Sequence, residues 1–429
     1  MNADTTRIAI IGGGMAGLCA AVELGRKGLC VDVFERQAQA GNKILLTGNG
    51  KGNISNTLIR TGDYLTDEPL LLNEILNHEQ NGDFLSNRSF FESLGLFLKE
   101  KDDRLYPVSN RTQSILHALL FFAKDANVTF YTGHFVNGIH KDNKVFTVQS
   151  QVTALYSGEN ESKTYSGYTY VLLAGGGKAG IYGEEGKNCY RITKDLSFGW
   201  VWPHPALVQA FCDDTDLKKM AGVRIDAGIT LYREEVCIAK ESGELQIIDS
   251  GLSGIPVFQL TRYIADPKKI NYRFAVDFLP YLDESVLTNT AKDLYLRFKN
   301  GRVSDVLSGL LPKKCADGLL SRSLHDAAYR CDPYVSDMGE KDLEKILGDL
   351  KEISFKIDNL NGYKHAQIST GGVPLSDVMS SMEAKHIQNL YLAGEILNVA
   401  GKCGGYNLHF AALSGRIAAD DILQKEGLK

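Results

Sequence analysis

The sequence has 429 residues and a net charge of −5, from 47 basic and 52 acidic side chains, and this length predicts two to four domains. The acidic balance argues against a nucleic-acid partner, and the lack of an apolar run of 18 residues argues against a membrane span. The eight cysteines include no C-x-x-C pair, which favours neither disulfides nor zinc, so no metal is predicted. No signal peptide precedes the first apolar run, so we expect a cytoplasmic protein.

The first 35 residues predict a dinucleotide-binding unit. In order, the unit comprises a strand at 8–11, the pattern G-x-G-x-x-G at Gly12, Gly14 and Gly17, a helix at 15–27, a strand at 31–34 and the acid Glu35. The first glycine permits a tight turn, the second lets the backbone approach a pyrophosphate, and the third lets the helix pack on the strand. Glu35 follows Gly17 by 18 residues. At this distance a carboxylate can accept hydrogen bonds from the hydroxyl groups of an adenosine ribose. The alternative is a glycine-rich turn without a ligand.

The next stretch, 41–56, is a loop in which Gly48, Gly50 and Gly52 alternate with polar residues. Its backbone can approach a ligand closely, whereas the alternative is a flexible surface loop. Beyond it, the sequence predicts helical patterns at 70–98 and 114–124, and strands at 128–131, 135–139, 144–150 and 168–174.

A second G-x-G-x-x-G follows the strand at 168–174, at Gly175, Gly177 and Gly180. It could indicate a separate NAD(P)H site, but no clear strand ending in an acid follows at the required distance. We expect instead that this strand returns to the first sheet and that its glycines turn beside the same cofactor.

The pattern changes at about residue 200. Short β-type runs are predicted at 206–211, 228–232, 235–239 and 245–249, a helix at 257–264 opened by 251–256, a strand at 272–278, a largely helical stretch at 285–350 with breaks at Gly301, Pro312, Gly318 and Pro333, and strands at 353–357, 365–369 and 387–393. A last helix, 408–424, follows Gly404 and Gly405, and such a helix start suits an anionic or electron-rich ligand.

Six blocks of sequence carry a resemblance to a known family. They are GGGMAG at 12–17, KILLTGNGKGNISN at 43–56, LAGGG at 173–177, GLSG at 251–254, TGGV at 370–373 and LYLAGEILNVAGKCGGYNLHFAALSG at 390–415. On these blocks the chain resembles the YhiN/BaiN-like family of FAD-dependent oxidoreductases, which includes aminoacetone oxidase-like flavoproteins. The resemblance covers nearly the whole chain.

The resemblance implies an α/β fold in which a two-dinucleotide-binding, Rossmann-like FAD domain is interrupted by a β-barrel-like domain with a helical insertion. The implied boundaries are 1–199 and 366–429 for the FAD-binding domain, 200–282 and 351–365 for the β-rich domain, and 283–350 for the insertion. FAD is implied to bind non-covalently, and NAD(P)H is a candidate electron donor. The implied FAD contacts are Gly12, Gly14, Met15, Ala16, Gly17, Glu35, Arg36, Lys43, Thr47, Gly48, Asn49, Gly50, Asn53, Val136, Ala174, Gly175, Gly176, Gly394, Glu395, Gly405, Tyr406, Asn407 and Leu408.

Within this set, the resemblance implies particular roles for a few positions. The backbone of Val136 would meet the adenine, and Gly394 and Glu395 would lie near the ribityl chain. The helix that begins near Gly405 would direct its N-terminus at the N1/O2 edge of the flavin. Two positions depart from the family pattern, in which Cys is usual at Gly52 and Asp is usual at Asn398.

The catalytic residues are unknown from the sequence. Tyr406 and Cys403 are the nearest candidates for a proton donor, and both also suit structural roles. Three functions stay open: an FAD-dependent oxidoreductase of a small organic substrate, with hydride transfer through flavin N5 and NAD(P)H-linked C=C reduction as one form; an amine oxidase, of aminoacetone-like substrates, that passes electrons to O₂; and a flavoprotein with a binding or RNA-modifying role. The expected partner is a small-molecule substrate, with neither nucleic acid nor membrane.

Overall fold

The structure is a computed structural model that describes residues 6–80, 84–153, 160–180, 187–326 and 332–428. The chain folds as two compact units, one formed by Met1–Pro203 with Gln367–Lys429 and the other by His204–Ala366. The second unit is thus inserted between two segments of the first.

The first unit is built on a parallel sheet. Its five strands are β1 (Arg7–Ile11), β2 (Cys30–Glu35), β7 (Thr129–Thr132), β11 (Tyr170–Leu173) and β20 (Leu390–Leu392), arranged in the order β20-β11-β1-β2-β7. β1 pairs in parallel with β2 and with β11, and residues 8–10 of β1 are fully buried, as expected for a strand covered on both faces. The predicted Rossmann-like α/β class is confirmed, as is the return of the strand before Gly175 to the first sheet.

The remaining strands of the first unit form smaller sheets. They are β3 (Ser55–Asn56), β4 (Tyr64–Thr66), β5 (Leu98–Lys101), β6 (Arg104–Pro107), β8 (His134–Asp142), β9 (Val145–Thr153), β10 (Asn160–Tyr168), β19 (Ile368–Gly372) and β21 (Val399–Gly401). A further strand, β12 (Val201–Ala206), begins in the first unit and continues past Pro203, where that unit ends. β8, β9 and β10 make an antiparallel meander with a bulge between Val136 and Gly138.

Helices cover the parallel sheet. The α-helices of the first unit are α1 (Met15–Arg26), α2 (Asn42–Leu45), α3 (Pro69–Leu76), α4 (Asn87–Ser93), α5 (Thr112–Asp125), α6 (Lys187–Asp195) and α13 (Tyr406–Lys425). The helical pattern at 70–98 is therefore two short helices followed by a strand. α1 packs against α13, where a Cβ on Gly415 would lie 2.2 Å from the carbonyl oxygen of Ala16. Small residues let these two helix backbones approach each other.

The second unit contains a closed barrel of six strands. They are β13 (Ala210–Cys212), β14 (Arg224–Arg233), β15 (Val236–Ile248), β16 (Gly251–Gly254), β17 (Tyr272–Asp277) and β18 (Ile353–Leu360), in the order β13-β16-β15-β14-β17-β18. The helices of this unit are α7 (Asp216–Met220), α8 (Ile255–Thr261), α9 (Glu284–Arg297), α10 (Val303–Ser308), α11 (Lys313–Asp326) and α12 (Glu340–Asp349). The last four lie between β17 and β18 in the chain, so the predicted barrel with a helical insertion is confirmed.

Three predictions in this unit are wrong in detail. The runs at 235–239 and 245–249 are one strand, β15, because its polar middle continues to pair with β14. The segment 251–256 does lead into a helix, but α8 begins at Ile255 with Gly254 as its N-cap, and Gly251–Gly254 is a strand in which a Cβ on Gly251 would lie 2.0 Å from the carbonyl oxygen of Ala210 on the neighbouring strand. Gly318 lies inside α11 instead of breaking it.

No helix among the described residues combines the length and apolar character needed to cross a membrane.

Candidate functional site

The glycine-rich turn between β1 and α1 is the first part of the site. Gly12 has φ +112°, and a Cβ there would lie 2.4 Å from the carbonyl oxygen of Ala174; a Cβ on Gly17 would lie 2.0 Å from the carbonyl oxygen of Gly12. Only glycine fits these two positions. Gly14 differs, because no atom of the residues that the structure describes lies within 4 Å of the place where its Cβ would be. The turn is therefore tight on the protein side and open at Gly14.

The helix that follows directs unpaired donors at this opening. Gly14 is the N-cap of α1 and has no side-chain cap. The N–H groups of Met15, Ala16 and Gly17 have no acceptor inside the helix, because the first intrahelical bond runs from Leu18 to Gly14. These donors and the helix dipole favour an anionic group such as a phosphate.

Glu35 lies beside this turn at the end of β2. One carboxylate oxygen accepts from Gly13 N at 2.9 Å and the other from Gln37 N at 2.8 Å. Burial raises the pKa of Glu35, against the lowering effects of these N–H donors and of Arg36. The side chain that was predicted to hold a ribose thus also braces the glycine turn, and its ribose contact stays a prediction.

A charged cluster lies where β11 and β20 end. Lys43 Nζ contacts Glu395 Oε2 at 2.5 Å, and Glu395 Oε1 accepts from the backbone N of Ser369 at 2.9 Å and from its hydroxyl at 3.1 Å. Lys178 N in turn donates to Ser369 Oγ at 3.1 Å. The two implied FAD contacts Lys43 and Glu395, which are 352 residues apart, are thus an ion pair.

The loop after α2 is fixed by α5. Thr112 Oγ1 donates to the carbonyl oxygens of Leu45 and Gly50, at 3.4 and 3.3 Å, and Thr47 Oγ1 donates to Ile44 O at 2.6 Å. The loop is therefore anchored, and it begins after the short helix α2 with a 3₁₀ turn at Thr47–Gly50. Beyond the backbone of this turn, Gly48 and Asn49 are not described, so their contacts remain predictions.

The start of α13 is the other end of the site. Its N-cap, Gly405, has φ +98°, and a Cβ there would lie 2.4 Å from Ser55 O and 2.7 Å from Asn53 Oδ1. Asn407 holds the preceding loop, because its side chain accepts from Gly401 N at 2.8 Å and donates to the carbonyl oxygens of Gly401 and Lys402. The loop before α13 is therefore held in place, and this fixes the position of the N–H groups in the first turn of the helix.

The side-chain oxygen of Asn53, which lies beside Gly405 at the start of α13, has no hydrogen-bond partner in the described part of the chain. The side chain of Asn53 is 8% exposed, and this oxygen, Oδ1, is buried. Buried polar groups are nearly always paired, so an orphan of this kind points to a missing ligand. The open cradle at Gly14 and this orphan together fit an extended dinucleotide such as FAD.

The two candidate proton donors lie at the same helix start. Tyr406 is half-buried, its hydroxyl donates to Leu58 O at 3.4 Å, and burial raises its pKa, so the phenol stays protonated at neutral pH. Cys403 is also half-buried, and its Sγ lies 3.8 Å from Gln367 Oε1. Neither contact assigns a catalytic role.

The other predicted contacts are distributed along the same unit. Val136, 5% exposed, lies in β8 opposite Ser150. Ala174 and Gly175 follow β11, and a Cβ on Gly175 would lie 1.8 Å from Cys189 Sγ. Gly176 faces open space at φ +72°; Gly394, at φ +76°, lies against Ala16; and Leu408 packs on the core.

A buried polar network below α13 was missed from the sequence. Ser55 Oγ and Asn87 Nδ2 lie 2.9 and 3.2 Å from His409 Nδ1, and Arg416, only 1% exposed, contacts Asn87 Oδ1 at 3.1 Å and Glu23 Oε1 at 2.9 Å. Burial, with the nearby Arg416 charge, lowers the pKa of His409 to about 4. The only sequence signal was an arginine within a small-residue helix.

An aromatic cluster surrounds Lys178. Its Nζ lies 5.9 Å from the ring centre of Tyr190 and 5.4 Å from that of Trp202, which is 67% exposed. Trp200 packs edge-on against Tyr190 with ring centres 4.4 Å apart.

Comparison with known proteins places the chain in a family. A family model described as "HI0933-like protein Rossmann domain" matches residues 6–421. The chain belongs to the HI0933-like family. The predicted recognition is thereby confirmed, and with it the class of enzyme: an FAD-dependent oxidoreductase.

Relatives of this HI0933-like chain align almost end to end. A 3-dehydro-bile acid delta(4,6)-reductase of Clostridium scindens is 32% identical over 96% of this chain and 99% of the relative. Two proteins named ribosomal RNA dihydrouridine synthase align over 96% of this chain and 97% of their own length, at 24% identity in Escherichia coli and 25% in Haemophilus influenzae.

The structure accounts for both departures from the HI0933-like pattern. Gly52 has φ +77°, and a Cβ there would lie 2.7 Å from Ile115 Cδ1, so a cysteine would be strained. Asn398 Nδ2 donates to Asp67 Oδ1 at 2.8 Å, and Asp67 also accepts from the backbone N of Leu375 and Ser376. An aspartate at position 398 would place its carboxylate against that of Asp67, and the two negative charges would repel each other. The presence of Asp67 therefore explains why this chain has asparagine at position 398.

Proposed function

We propose that this protein is an FAD-dependent reductase of a carbon–carbon double bond conjugated to a carbonyl group in a small organic substrate, with NAD(P)H as the electron donor. The observation that carries the proposal is the end-to-end alignment, at 32% identity, with a protein named as a delta(4,6)-reductase of a 3-dehydro bile acid.

The proposed FAD site lies entirely on the first unit. The pyrophosphate would lie at the opening beside Gly14 and the start of α1, the ribose at Glu35, and the ring at the start of α13. All the contacts implied by the resemblance, Val136 and Arg36 included, belong to this unit, and we keep them and the predicted domain boundaries as part of the proposal. A cytoplasmic location remains a prediction from the sequence.

The chain contributes position and electrostatics, while bound FAD would supply hydride transfer. The N–H groups at the start of α13 favour negative charge at a ring that accepts electrons. The loop at 401–402, fixed by Asn407, keeps these donors in place. Tyr406 carries a phenolic proton at Oη that its raised pKa retains at neutral pH, so it remains a candidate proton donor together with Cys403.

The names of the relatives share one chemical feature. A delta(4,6)-reductase of a 3-dehydro bile acid and a dihydrouridine synthase both act at a ring C=C bond that is conjugated to a carbonyl group. This common chemistry supports an unsaturated carbonyl as the substrate class. Reduction of uridine in ribosomal RNA is the second candidate, favoured by the two relatives that carry that name and opposed by the net charge of −5.

Anaerobic stopped-flow kinetics test the proposal. The purified protein should be yellow and release free FAD on heating; NAD(P)H should reduce the flavin, and cyclic enones should reoxidise it in a ping-pong pattern. Protein that binds no FAD would contradict the cofactor. Reoxidation by O₂ after reduction by amines, without reaction with enones, would favour the amine oxidase. Dihydrouridine formed in ribosomal RNA by the same reduced protein would establish the second candidate.

A further inference from the structure

The carboxamide of Asn53 lies in a fixed position within the first unit. Ile54 N donates to Leu105 O at 3.0 Å, and Ser55 pairs with Leu105 in the sheet formed by β3 and β6. The hydroxyl group of Ser55 also lies within hydrogen-bond distance of His409 Nδ1, at 2.9 Å. The backbone on the C-terminal side of Asn53 is therefore anchored, and the side chain cannot move far to find a partner.

The same carboxamide lies against the start of α13. Its Oδ1 is 2.7 Å from the place where a Cβ on Gly405 would be, and the side chain is more than nine-tenths buried. Gly405 has φ +98°, a backbone conformation that other residues do not easily adopt, and a side chain at this position would collide with the carboxamide oxygen of Asn53. A helix start and an unpaired amide thus face one small region.

This pair of features discriminates between chemical groups. The start of a helix attracts any acceptor, including phosphate. A carboxamide also offers an acceptor oxygen, which a phosphate cannot satisfy because it has no proton to donate at neutral pH. A group that satisfies both must present an acceptor and a donor side by side.

We propose that the carboxamide of Asn53 recognises the pyrimidine edge of the flavin ring, where the N3–H donor lies between the two carbonyl oxygens. Asn53 accepts from N3–H and donates to one neighbouring carbonyl, while the start of α13 donates to the other. A half-turn of the amide exchanges its oxygen and nitrogen, so it can present either order. This inference rests on the proposed binding of FAD and names the part of FAD that Asn53 recognises.

The test is a binding cycle between Asn53 and the N3 position. Apo-protein of the wild type, Asn53→Ala and Glu35→Ala is titrated with FAD and with N3-methyl-FAD, whose ring has lost the donor. The wild type should bind N3-methyl-FAD about tenfold more weakly than FAD, as the loss of one or two hydrogen bonds predicts. Asn53→Ala should bind FAD more weakly and bind the two flavins within about threefold of each other, because the partner of N3–H is gone.

Glu35→Ala is the matched control, because Glu35 is placed at the ribose end of the same cofactor. Glu35→Ala should weaken the binding of FAD and of N3-methyl-FAD by the same factor, so that the wild-type preference for FAD is retained. The melting temperature of apo Asn53→Ala should not fall, since the change removes an unpaired buried group; this measurement separates lost recognition from misfolding.

The outcomes separate the two proposals. Equal affinity of the wild type for both flavins, or a full preference for FAD retained by Asn53→Ala, would overturn the role of Asn53 and leave FAD binding intact. The second result would indicate that a ribityl hydroxyl or another group occupies this region. Failure of the wild type to bind FAD would instead overturn the proposed function.

Discussion

Two turns of this molecule have the same glycine pattern and different surroundings. The first, at 12–17, leads at once into a 12-residue helix and leaves the position beside Gly14 open. The second, at 175–180, contains no helical residue, and the equivalent glycine, Gly177, has Ser369 Oγ and Glu395 Oε1 at 2.4 and 2.5 Å from where its Cβ would be.

The difference shows that the pattern G-x-G-x-x-G describes backbone freedom and not a ligand. At 175–180 the glycines make room for the protein's own side chains: Cys189 against Gly175, and Ser369 and Glu395 against Gly177. At 12–17 the glycines instead leave space beside Gly14, next to the N–H groups of the first turn of α1, which have no acceptor inside the helix. What fills the space beside the second glycine distinguishes a structural turn from a candidate phosphate site.

The largest expected effect distinguishes the third glycines of the two turns. Gly17→Ala should lower the free energy of unfolding by about 3 kcal/mol, because the new methyl group would lie 2.0 Å from backbone that cannot move aside. Gly180→Ala should cost only about 1 kcal/mol, from φ +92° alone, since among the described residues the nearest atom to the new methyl group is Lys43 Cε at 3.9 Å. Urea unfolding of the two apo-proteins measures this; equal losses would show that the turns are equivalent.

The acid beside the first turn provides the second prediction. Glu35→Ala should weaken FAD binding by roughly 10–150-fold for each charged hydrogen bond that is lost, while turnover per bound flavin changes little. Titration of apo-protein with FAD measures the effect, and Glu74→Ala, which removes an exposed acid on α3, is the control. Dissociation constants within twofold of the wild type would mean that the ribose lies elsewhere.

The other helix start, at Gly405, is supported by a histidine that stays neutral. The pKa of His409 in the folded protein is about 4 against an ordinary 6.5, so the unfolded chain gains a proton first as the pH falls. Stability from this group is complete above pH 6.5 and decreases as the pH falls toward 4, by about 2 kcal/mol between pH 7.5 and 5. Urea unfolding should show His409→Asn losing this part of the pH slope, whereas exposed His117→Asn retains it. An unchanged slope in His409→Asn would refute the assignment.

The smallest effect concerns the open position. Gly14→Ala should leave the apo-protein as stable as the wild type, because no atom in the described part of the chain lies within 4 Å of the new methyl group and the backbone φ of −82° suits alanine. It should weaken FAD binding by about tenfold, or 1.4 kcal/mol, by occupying the space next to the pyrophosphate. Differential scanning fluorimetry and FAD titration separate the two results. Unchanged FAD affinity would show that no ligand approaches Gly14.

The sequence was most informative where structure is local. The unit from β1 to β2 was predicted to within one residue at each strand and helix end, because glycines, apolar runs and helix formers all lie within 35 residues. The helix α13 was predicted for the same reason. In the barrel the segment with Gly251 and Gly254 was predicted only to open a helix, although these glycines also permit close contact between strands.

The site was predictable only as a set of positions along a ligand. That Lys43 pairs with Glu395, or that His409 and Arg416 meet Asn87, depends on residues more than 300 positions apart. Local periodicity contains no information on such pairs. The orphan oxygen of Asn53 is likewise visible only once β3 and the start of α13 are brought together.

The aromatic cluster around Lys178 has a spectroscopic consequence. Trp200 and Trp202 are the two tryptophans of the sequence, and both belong to the first unit. Tryptophan emission therefore originates from this unit alone, and the second unit contributes only tyrosine emission. Because oxidised flavins absorb where tryptophan emits, energy transfer should quench this emission as FAD binds, so the native chain contains its own optical reporter of cofactor loading.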